Sequence, residues 1–313
     1  MRDCPGSGRD GGNAIVDNRV WIQSVPNFSE GRDLQKVEQI VDCFRAKPGI
    51  KLLDYSTDRD HNRCVVTVVG QPKPLGAAMV EAIGKAVELI DMTRHEGLHP
   101  RIGCVDVVPF TPVRNATMED ADALAKSVAK RAAERFGQPF YYYGESASAP
   151  HRRELSAIRK GQFEGLAEKM KDPLWKPDVG PDTIHPTGGA TAIGARQAMI
   201  FYNVNLDTSN ADIARQIAQR VRSIGGGLRY VKALGIAKEE RQLVQVSMNL
   251  TDYTKSSLYA ALELVRMEAA RYGVRVVGSE LVGFVPLKAL LDSAEYYLQL
   301  EDFHVEQVLE FNL

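Results

Sequence analysis

The stretch Asp91–Val113, DMTRHEGLHPRIGCVDVVPFTPV, contains the bend and the strand that close the first of two repeated units in this chain. Within it, His95 and His99 match H-E-x-x-H, a pattern that binds zinc when both histidines lie on one helix. Gly97 lies between them and Pro100 follows, and a proline disfavours the α conformation in the residue before it. We therefore expect a helix end, a turn and a new strand here, and a zinc hydrolase is kept as the alternative.

The same stretch holds a histidine on a bend beside fixed positive charge. A lone histidine is most often satisfied by its neighbours, and this is the plain alternative for His99. However, Arg94 and Arg101 flank the segment, and its glycine and proline shape the turn. A side chain that titrates near neutral pH, beside a group able to hold an anion, suits acid–base chemistry. The bend is therefore a candidate catalytic site.

The strand after this bend completes a β-α-β-β-α-β order in the first half of the chain. The hydrophobic period and the stop signals predict strands at 20–25, 50–55, 64–69 and 105–110, and helices at about 34–47 and 74–92. The second half repeats the order, with predicted strands at 198–206, 231–234, 243–250 and 274–277. The pattern Ser209-x-x-Asp212 introduces one helix there, and another ends at Tyr272 before Gly273. This order predicts an α+β protein of two tandem ferredoxin-like (βαββαβ) subdomains.

An extra helix and an extra strand separate the two repeats. The pattern Thr117-x-x-Asp120 predicts the start of that helix and Gly137 its end, and the apolar run 140–143 is a predicted strand. We place the boundary near residue 196, which gives subdomains 19–196 and 197–313. Residues 1–18 are rich in glycine and polar side chains, and we expect a disordered tail there.

The composition predicts a globular protein that binds neither nucleic acid nor membranes. Lys+Arg total 39 against 40 for Asp+Glu, so the chain has no bulk field that attracts polyanions. No apolar run is long enough to span a bilayer, and the first residues lack the apolar core of a signal peptide. The four cysteines have no CxxC spacing, which favours reduced thiols and a cytoplasmic location.

Two strands of the second half carry rows of neutral amides and hydroxyls. Gln245, Ser247 and Asn249 alternate with apolar residues, and Asn203 and Asn205 do so on the earlier strand. A solvent-facing strand more often carries Lys, Glu or Thr at such positions. The rows therefore favour an enclosed, wet surface that hydrogen-bonds a ligand, and a plain exposed face is the alternative.

Three loops are further candidates for a site. The turn 58–63, DRDHNR, is densely charged, and either forms a solvated hairpin or brings charge over a cleft. The segment 180–190, GPDTIHPTGGA, is either a linker or a backbone-rich clamp at the junction of the two halves. Asn27 ends a strand and can reach into a cleft. By contrast, Gly225–Gly227 lacks the Lys-Ser/Thr of a phosphate-binding loop and predicts only a turn.

Seven motifs, in order from about residue 19 to the C terminus, resemble those of the glutamate formimidoyltransferase family. They are VPNFSEGRD (25–33), LLDYSTDRDHNR (52–63), RHEGLHPRIGCVDVVPF (94–110), the segment 180–196, FYNVNL (201–206), QVSMNLTDY (245–253) and GSELVGFVPLKALLD (278–292). The resemblance implies transfer of a formimino group from N-formimino-L-glutamate to N5 of tetrahydrofolate, a late step of histidine degradation. It also implies two ferredoxin-like subdomains whose sheets enclose a folate tunnel, in a homodimer.

The resemblance also implies roles for particular residues. The catalytic histidine of the family directly precedes Pro-Arg, which is His99 here. The folate-contacting stretch of the family falls on Gly180, Pro181, Asp182, Thr183, Ile184, His185, Pro186, Thr187, Gly188 and Gly189. For substrate binding we expect Asn27, Asn62, Arg63 and Arg101. Tetrahydrofolate is expected as co-substrate, no metal is expected, and a separate cyclodeaminase would complete the pathway.

The resemblance implies that one imidazole performs both proton transfers. N5 of tetrahydrofolate is a neutral amine that attacks the amidine carbon, and His99 would remove the N5 proton and then protonate the departing glutamate nitrogen. Such catalysis contributes roughly 10²–10⁴-fold. Leu98 departs from family members that carry Glu at this position, which bears on substrate identity. A related folate enzyme using a formyl donor, or a folate-binding protein without catalysis, would share most of these residues.

Overall fold

In the computed structural model, which describes residues 18–309, the chain forms one seven-stranded and one four-stranded sheet. The predicted disordered tail, residues 1–18, lies outside the described residues except for its last residue. Within 18–309, no helix combines the length and the apolar character that crossing a bilayer requires. Cys64 and Cys104 are buried, Cys43 is half-buried, and all three are free thiols.

The first half contains seven strands and five α-helices in the described part of the chain. They are β1 (Trp21–Ser24), β2 (Asn27–Phe28), α1 (Leu34–Val41), β3 (Ile50–Asp58), β4 (Arg63–Gly70), α2 (Pro72–Leu89), β5 (Val105–Arg114), α3 (Met118–Phe136), β6 (Phe140–Tyr142), α4 (Leu155–Arg159), α5 (Gln162–Lys169) and β7 (Thr191–Ala195). The second half contains β8 (Ile200–Leu206), α6 (Ala211–Val221), β9 (Val231–Lys238), β10 (Leu243–Leu250), α7 (Leu258–Ala270), β11 (Val276–Val282) and α8 (Leu287–Leu298).

The strands of the two predicted repeats are paired in the same order. In the first sheet β1 lies between β5 and β4, and β3 pairs with the far side of β4, all antiparallel. In the second sheet β8 likewise lies between β11 and β10, with β9 beyond β10. The first sheet is extended by β7 and β6, which add in parallel beside β5. The chain is thus an α+β protein with two sheets.

Helix starts agree with the capping signals except at α6. In α3 the Thr117 side chain accepts from the Asp120 backbone N–H, and the Asp120 side chain accepts from the Thr117 backbone N–H. Gly137 ends the helix with a φ of 66°. The predicted Ser209 cap of α6 is wrong, because Asn210 occupies the cap position and accepts from the Asp212 backbone. Asn and Ser are comparably good caps, so the pattern alone did not decide between them.

Several boundaries differ from the sequence prediction. β3 continues to Asp58, which pairs with Arg63, so only residues 59–62 of the charged segment form the turn. β9 runs to Lys238, and β11 begins at Val276 rather than at 274. The helix α8 was not predicted. In the three strands, tertiary pairing rather than local periodicity sets the length.

Both faces of the first sheet are partly covered. The main core lies between the sheet and the helices α2 and α3. A smaller core under α4 and α5 covers the opposite face near β5, β6 and β7, and contains Ile102, Tyr141, Ile158 and Leu166. Along β4 the side chains alternate between buried and half-buried, so the half-buried set that begins with Arg63 points away from the main core. We call this half-buried face of β4, which begins at Arg63, the free strip. The candidate site lies at this strip, beside α4.

Candidate active site

The segment 95–100 has non-helical backbone, as predicted. Three hydrogen bonds fix it against the turn between β3 and β4. The Leu98 backbone N–H donates to the Asp60 carbonyl (3.1 Å), and Asn62 Nδ2 donates to the Glu96 carbonyl (2.9 Å). The His95 ring Nε2 lies 3.0 Å from the Asn62 carbonyl oxygen. The position of the bend is therefore set by this turn.

Gly97 is required by the closeness of this contact. A Cβ at Gly97 would lie 2.4 Å from the His61 carbonyl oxygen, which is backbone and cannot move aside cheaply. Leu98, in contrast, has a side chain that is 78% exposed. The fold therefore uses the backbone of this segment and leaves the Leu98 side chain free.

The geometry does not support the zinc hydrolase alternative. His95 and His99 do not lie on a helix, and both ring nitrogens of His95 have protein partners. Arg101 Nε donates to Nδ1 (3.1 Å), and Nε2 bonds to the Asn62 carbonyl. Because Nδ1 accepts, Nε2 carries the proton, and neither nitrogen offers a lone pair to a metal.

His99 lies half-buried at the end of the free strip. Burial, and next the positive charges of Arg63 and Arg159, lower the pKa of His99 to about 4. The imidazole is therefore neutral at pH 7 and able to accept a proton. Its ring lies 6.3 Å from that of His61, centre to centre.

The Arg63 guanidinium has few hydrogen-bond acceptors among the described residues. Its Nη1 lies 3.4 Å from Asn27 Oδ1, a marginal hydrogen bond, and its buried Nε has no partner among the described residues. Burial and the nearby Arg159 lower its pKa. An unpaired buried donor of this kind is costly, and a bound anion would satisfy it.

Arg159, at the end of α4, is the second cation near His99. Its Nε donates to Asp106 Oδ2 (3.0 Å), and its Nη2 donates to the same oxygen. Asp106 is 2% exposed and also accepts from the Ile102 backbone N–H (3.0 Å). Burial raises the pKa of Asp106, and Arg159 opposes that rise. The pair fixes the guanidinium beside His99.

The half-buried ammonium of Lys169 holds the end of α4 in place. Lys169 Nζ donates to the carbonyls of Ala157 (2.7 Å), Ile158 (2.7 Å) and Lys160 (3.2 Å), which flank Arg159 in sequence. It also lies 3.8 Å from the centre of the Trp175 ring. Burial lowers the pKa of Lys169 to about 8. Lys169 thus supports the backbone that presents Arg159.

Arg101, predicted as a substrate anchor, is instead fully engaged within the protein. It is 6% exposed. Nε and Nη2 donate to the ring and the carbonyl of His95, and Nη1 donates to Gln162. The Glu164 carboxylate takes the remaining two N–H groups, at 2.9 and 2.6 Å. All five N–H groups of the guanidinium therefore have protein acceptors, and this geometry favours a positioning role.

Arg101→Ala is therefore expected to act through the position of the bend. Removing the guanidinium leaves the His95 carbonyl and ring without donors, at a cost of about 1–3 kcal/mol in the free energy of unfolding. We expect a lower kcat and a lower Tm, measured by steady-state kinetics and thermal unfolding. A large rise in the KM of one substrate with an unchanged Tm would return Arg101 to the anchoring role.

Asn62 is likewise buried and structural in its contacts. It is 7% exposed and has a φ of 48°, a left-handed conformation that Asn tolerates. Its Oδ1 accepts from the Gly31 backbone N–H (2.9 Å), while its Nδ2 bonds to the Glu96 carbonyl. Both ends of the Asn62 amide are therefore occupied by bonds that hold the site together. A substrate contact by Asn62 would have to replace one of them. Asn27, by contrast, is half-buried beside Arg63.

The predicted folate stretch 180–189 approaches the bend at its C-terminal end. The Gly188 carbonyl accepts from the Cys104 backbone (2.9 Å), and the Thr187 carbonyl accepts from that of Met92 (2.8 Å). The His185 ring Nδ1 accepts from the Gly188 backbone (2.8 Å). Residues 180–183 are exposed. A groove of about 760 Å³ on the outer side of α3 touches this stretch only at Gly180 and is lined by no residue of the bend.

Two amides of the row in the second sheet, Gln245 and Asn205, are hydrogen-bonded to each other. Gln245 and Asn205 are 1% and 3% exposed, and Gln245 Nε2 donates to Asn205 Oδ1 (2.8 Å). Both amides also donate to the Glu280 carboxylate, at 3.3 Å each. Lys232 on β9 pairs with Glu154, just before α4 (3.1 Å), and connects this sheet to the first half.

His61, Asp106 and Arg159 were not singled out individually from the sequence. Asp106 did give a signal, because it is a lone charge within the apolar run VDVVPF. His61 lies within the charged segment 58–63, where the expected functional groups are a carboxylate or a guanidinium rather than the imidazole. Arg159 gave none, since its approach to His99 depends on the packing of α4.

We expect direct titration to find His99 ionising far below an ordinary histidine. Because the folded-state pKa is depressed, the stability linked to this ring is complete above the usual value of about 6.5 and falls as the pH drops towards 4. NMR of the ring proton, assigned with His99→Gln, measures the midpoint. A midpoint near 6.5 would contradict this description of the site.

Together, the fold and the site define a two-sheet α+β protein with a half-buried histidine in the field of two arginines, suited to proton transfer on an anionic small molecule. Comparison with known proteins identifies the family. The sequence model described as "Formiminotransferase domain, N-terminal subdomain" matches residues 21–196, and that described as "Formiminotransferase domain" matches 201–310. The chain belongs to the formiminotransferase family.

The similar proteins include both short and long forms. A "Glutamate formimidoyltransferase" of Streptococcus pyogenes is 47% identical, covering 93% of this chain and 98% of that protein. A protein of the same name from Thermoplasma acidophilum is also 47% identical, over 92% of this chain and 96% of the relative. The "Formimidoyltransferase-cyclodeaminase" of Mus musculus is 43% identical over 91% of this chain, which spans 53% of that relative.

Proposed function

We infer that the protein transfers the formimino group from N-formimino-L-glutamate to N5 of tetrahydrofolate, giving 5-formiminotetrahydrofolate and L-glutamate in histidine degradation. The observation that carries this is the 47% identity to a glutamate formimidoyltransferase over 93% of this chain and 98% of that relative. The chain is accordingly a one-carbon group transferase. Its co-substrate is tetrahydrofolate.

His99 is proposed as the single acid–base group. As a neutral imidazole it accepts the N5 proton while the new C–N bond forms. It then donates that proton to the glutamate nitrogen while the old C–N bond breaks. A group that accepts and returns one proton must be neutral at the start of the cycle, which the lowered pKa of His99 supplies.

Arg63 and Arg159 are proposed as the groups that hold substrate carboxylates beside His99. The sequence predicts Arg63 as a substrate-binding residue, and we retain that prediction. Arg159 replaces Arg101 as the second proposed carboxylate anchor. Support comes from the unpaired Arg63 Nε and from the electrostatic effect of both cations on His99. Charge-assisted bonds from guanidinium to carboxylate are short and strong, and they fix orientation as well as affinity.

Arg63→Gln is expected to raise the KM for formiminoglutamate about ten-fold or more, which corresponds to roughly 1.4 kcal/mol of lost binding. The glutamine preserves polarity and removes the charge. Steady-state kinetics with each substrate varied in turn measures the effect. Arg59→Gln on the neighbouring turn is the matched control, since Arg59 is exposed. Equal KM values in both variants would remove Arg63 from the site.

For folate we propose the stretch 180–189 together with Asn203 and Asn249, the half-buried amides of the second sheet. Asn27, beside Arg63, is proposed to contact substrate. A reduced pterin offers ring donors and acceptors, and neutral amides can match both kinds. We further propose that residues 19–196 and 197–313 are ferredoxin-like subdomains whose sheets enclose a folate tunnel. The strand orders of the two sheets support this proposal. A cytoplasmic homodimer is proposed on the family resemblance alone.

The test compares donors. Purified protein is incubated with tetrahydrofolate and either formiminoglutamate or formylglutamate, and the folate products are identified by mass spectrometry. We expect turnover with formiminoglutamate at least ten times faster than with the formyl donor. Faster turnover with formylglutamate would favour the related formyl transferase, and folate binding without turnover would favour a non-catalytic protein.

A further inference from the structure

His61 and Asp58 form an ordered pair at the edge of the site. Asp58 Oδ1 accepts from the backbone N–H groups of Asp60 and His61, both at 2.9 Å, so its carboxylate is fixed. Its other oxygen lies 2.8 Å from His61 Nδ1. The carboxylate therefore holds the proton on Nδ1 and leaves Nε2 as the free nitrogen, which has no partner among residues 18–309. This is the arrangement by which a carboxylate orients a histidine for proton transfer.

The ring of His61 lies beside that of His99 and is open to solvent. The two rings are 6.3 Å apart, centre to centre, and inclined at 65°. That gap suits one bridging water. The His61 side chain is 45% exposed, so this ring reaches solvent directly, and both histidines are half-buried residues. The three hydrogen bonds between the bend and the turn fix this juxtaposition, and Gly97 allows it.

We propose that His61, oriented by Asp58, relays protons between solvent and His99 during group transfer. This inference rests on the proposed function. The charged and titratable groups in contact with His61 are Asp58 on β3 and His99 on the facing bend. A proton that rests on His99 is opposed by Arg63 and Arg159, whereas on His61 it faces the Asp58 carboxylate.

The reaction takes up one proton from solution, and the relay would deliver it. The N5 proton passes through His99 to the departing nitrogen, so one C–N bond forms and one breaks with no net proton change. The released glutamate amino group then binds a second proton, because amino groups are protonated at neutral pH. Water or buffer supplies that proton. His61 binds it at Nε2 and passes it through one water to His99, which delivers it to the product amine.

The test is rescue by a small proton carrier. In dilute, bulky buffer we expect His61→Gln to lower kcat about ten-fold, less than the roughly 10²–10⁴-fold contribution of a primary acid–base group, with both KM values unchanged. Millimolar imidazole should restore kcat of this variant with saturation and should leave wild type unchanged. Asp58→Asn should give a smaller loss with the same rescue. Asp60→Asn, an exposed residue of the same turn, is the control and should match wild type.

The outcomes separate the two proposals. A wild-type protein without formimino transfer overturns the proposed function, and the relay with it. Working wild-type enzyme together with full kcat in His61→Gln overturns the relay alone. A loss of kcat that imidazole does not restore, with wild-type circular dichroism, also overturns the relay, because it assigns His61 a purely structural role.

Discussion

His99→Ala is expected to lose about 10²–10⁴-fold in kcat while it still binds tetrahydrofolate, because the imidazole is proposed to supply the acid–base step and not the folate contacts. The loss corresponds to roughly 3–5 kcal/mol of the barrier. Steady-state turnover with formiminoglutamate and calorimetric titration with tetrahydrofolate measure the two quantities separately.

His304→Ala is the matched control for this variant. His304 is exposed and lies in the C-terminal segment, and its removal should change neither quantity. If His99→Ala turns over within a factor of a few of wild type, the acid–base assignment is wrong. If it no longer binds folate, His99 has a binding role that the present assignment lacks.

Asp106→Ala is expected to lower the free energy of unfolding by about 3–5 kcal/mol, the range found when one partner of a buried ion pair is removed. The substitution leaves the Arg159 guanidinium, whose side chain is 18% exposed, without its carboxylate. It also leaves the buried Ile102 backbone N–H without an acceptor. Urea unfolding followed by circular dichroism measures the change, and kcat should fall as Arg159 moves.

Asp182→Ala provides the comparison. Asp182 pairs with Lys176 at 2.7 Å, but the two side chains are 63% and 51% exposed. Exposed pairs contribute about 0–1 kcal/mol, so this variant should unfold almost as wild type does. Equal destabilisation by the two substitutions would mean that the Asp106 pair is solvated in solution.

Elements with a clear local signal could be predicted from the sequence. The strand 243–250 matches β10 residue for residue, and the capping box at Thr117 and the stop at Gly137 match α3. The helix α4 has five residues, which is too short for a periodic pattern to be read. The predicted position of the edge strand β11 is wrong by two residues at its start. This strand exposes apolar side chains such as Val277 and Val282, so its sequence shows no clean alternation.

The site could be predicted where its cause is local. Pro100 and Gly97 act on neighbouring backbone, so the non-helical bend at His99 followed from the sequence. The hydrogen bonds that occupy Arg101 could not be predicted from the sequence. Its partners Gln162 and Glu164 lie more than sixty positions away and reach it only when α5 packs. The same holds for Arg159 beside His99. Long-range pairing therefore decides which arginine has protein acceptors for all of its N–H groups.

The backbone contact between the bend and the turn also determines where this enzyme can vary. Position 97 admits glycine alone, since any larger residue overlaps the His61 carbonyl. Position 98 contributes its N–H to the fold and nothing from its side chain. A saturation library should therefore tolerate nearly every residue at 98 and almost none at 97. Position 98, next to the imidazole proposed as the acid–base group, can therefore change its contacts with substrate at little cost to folding.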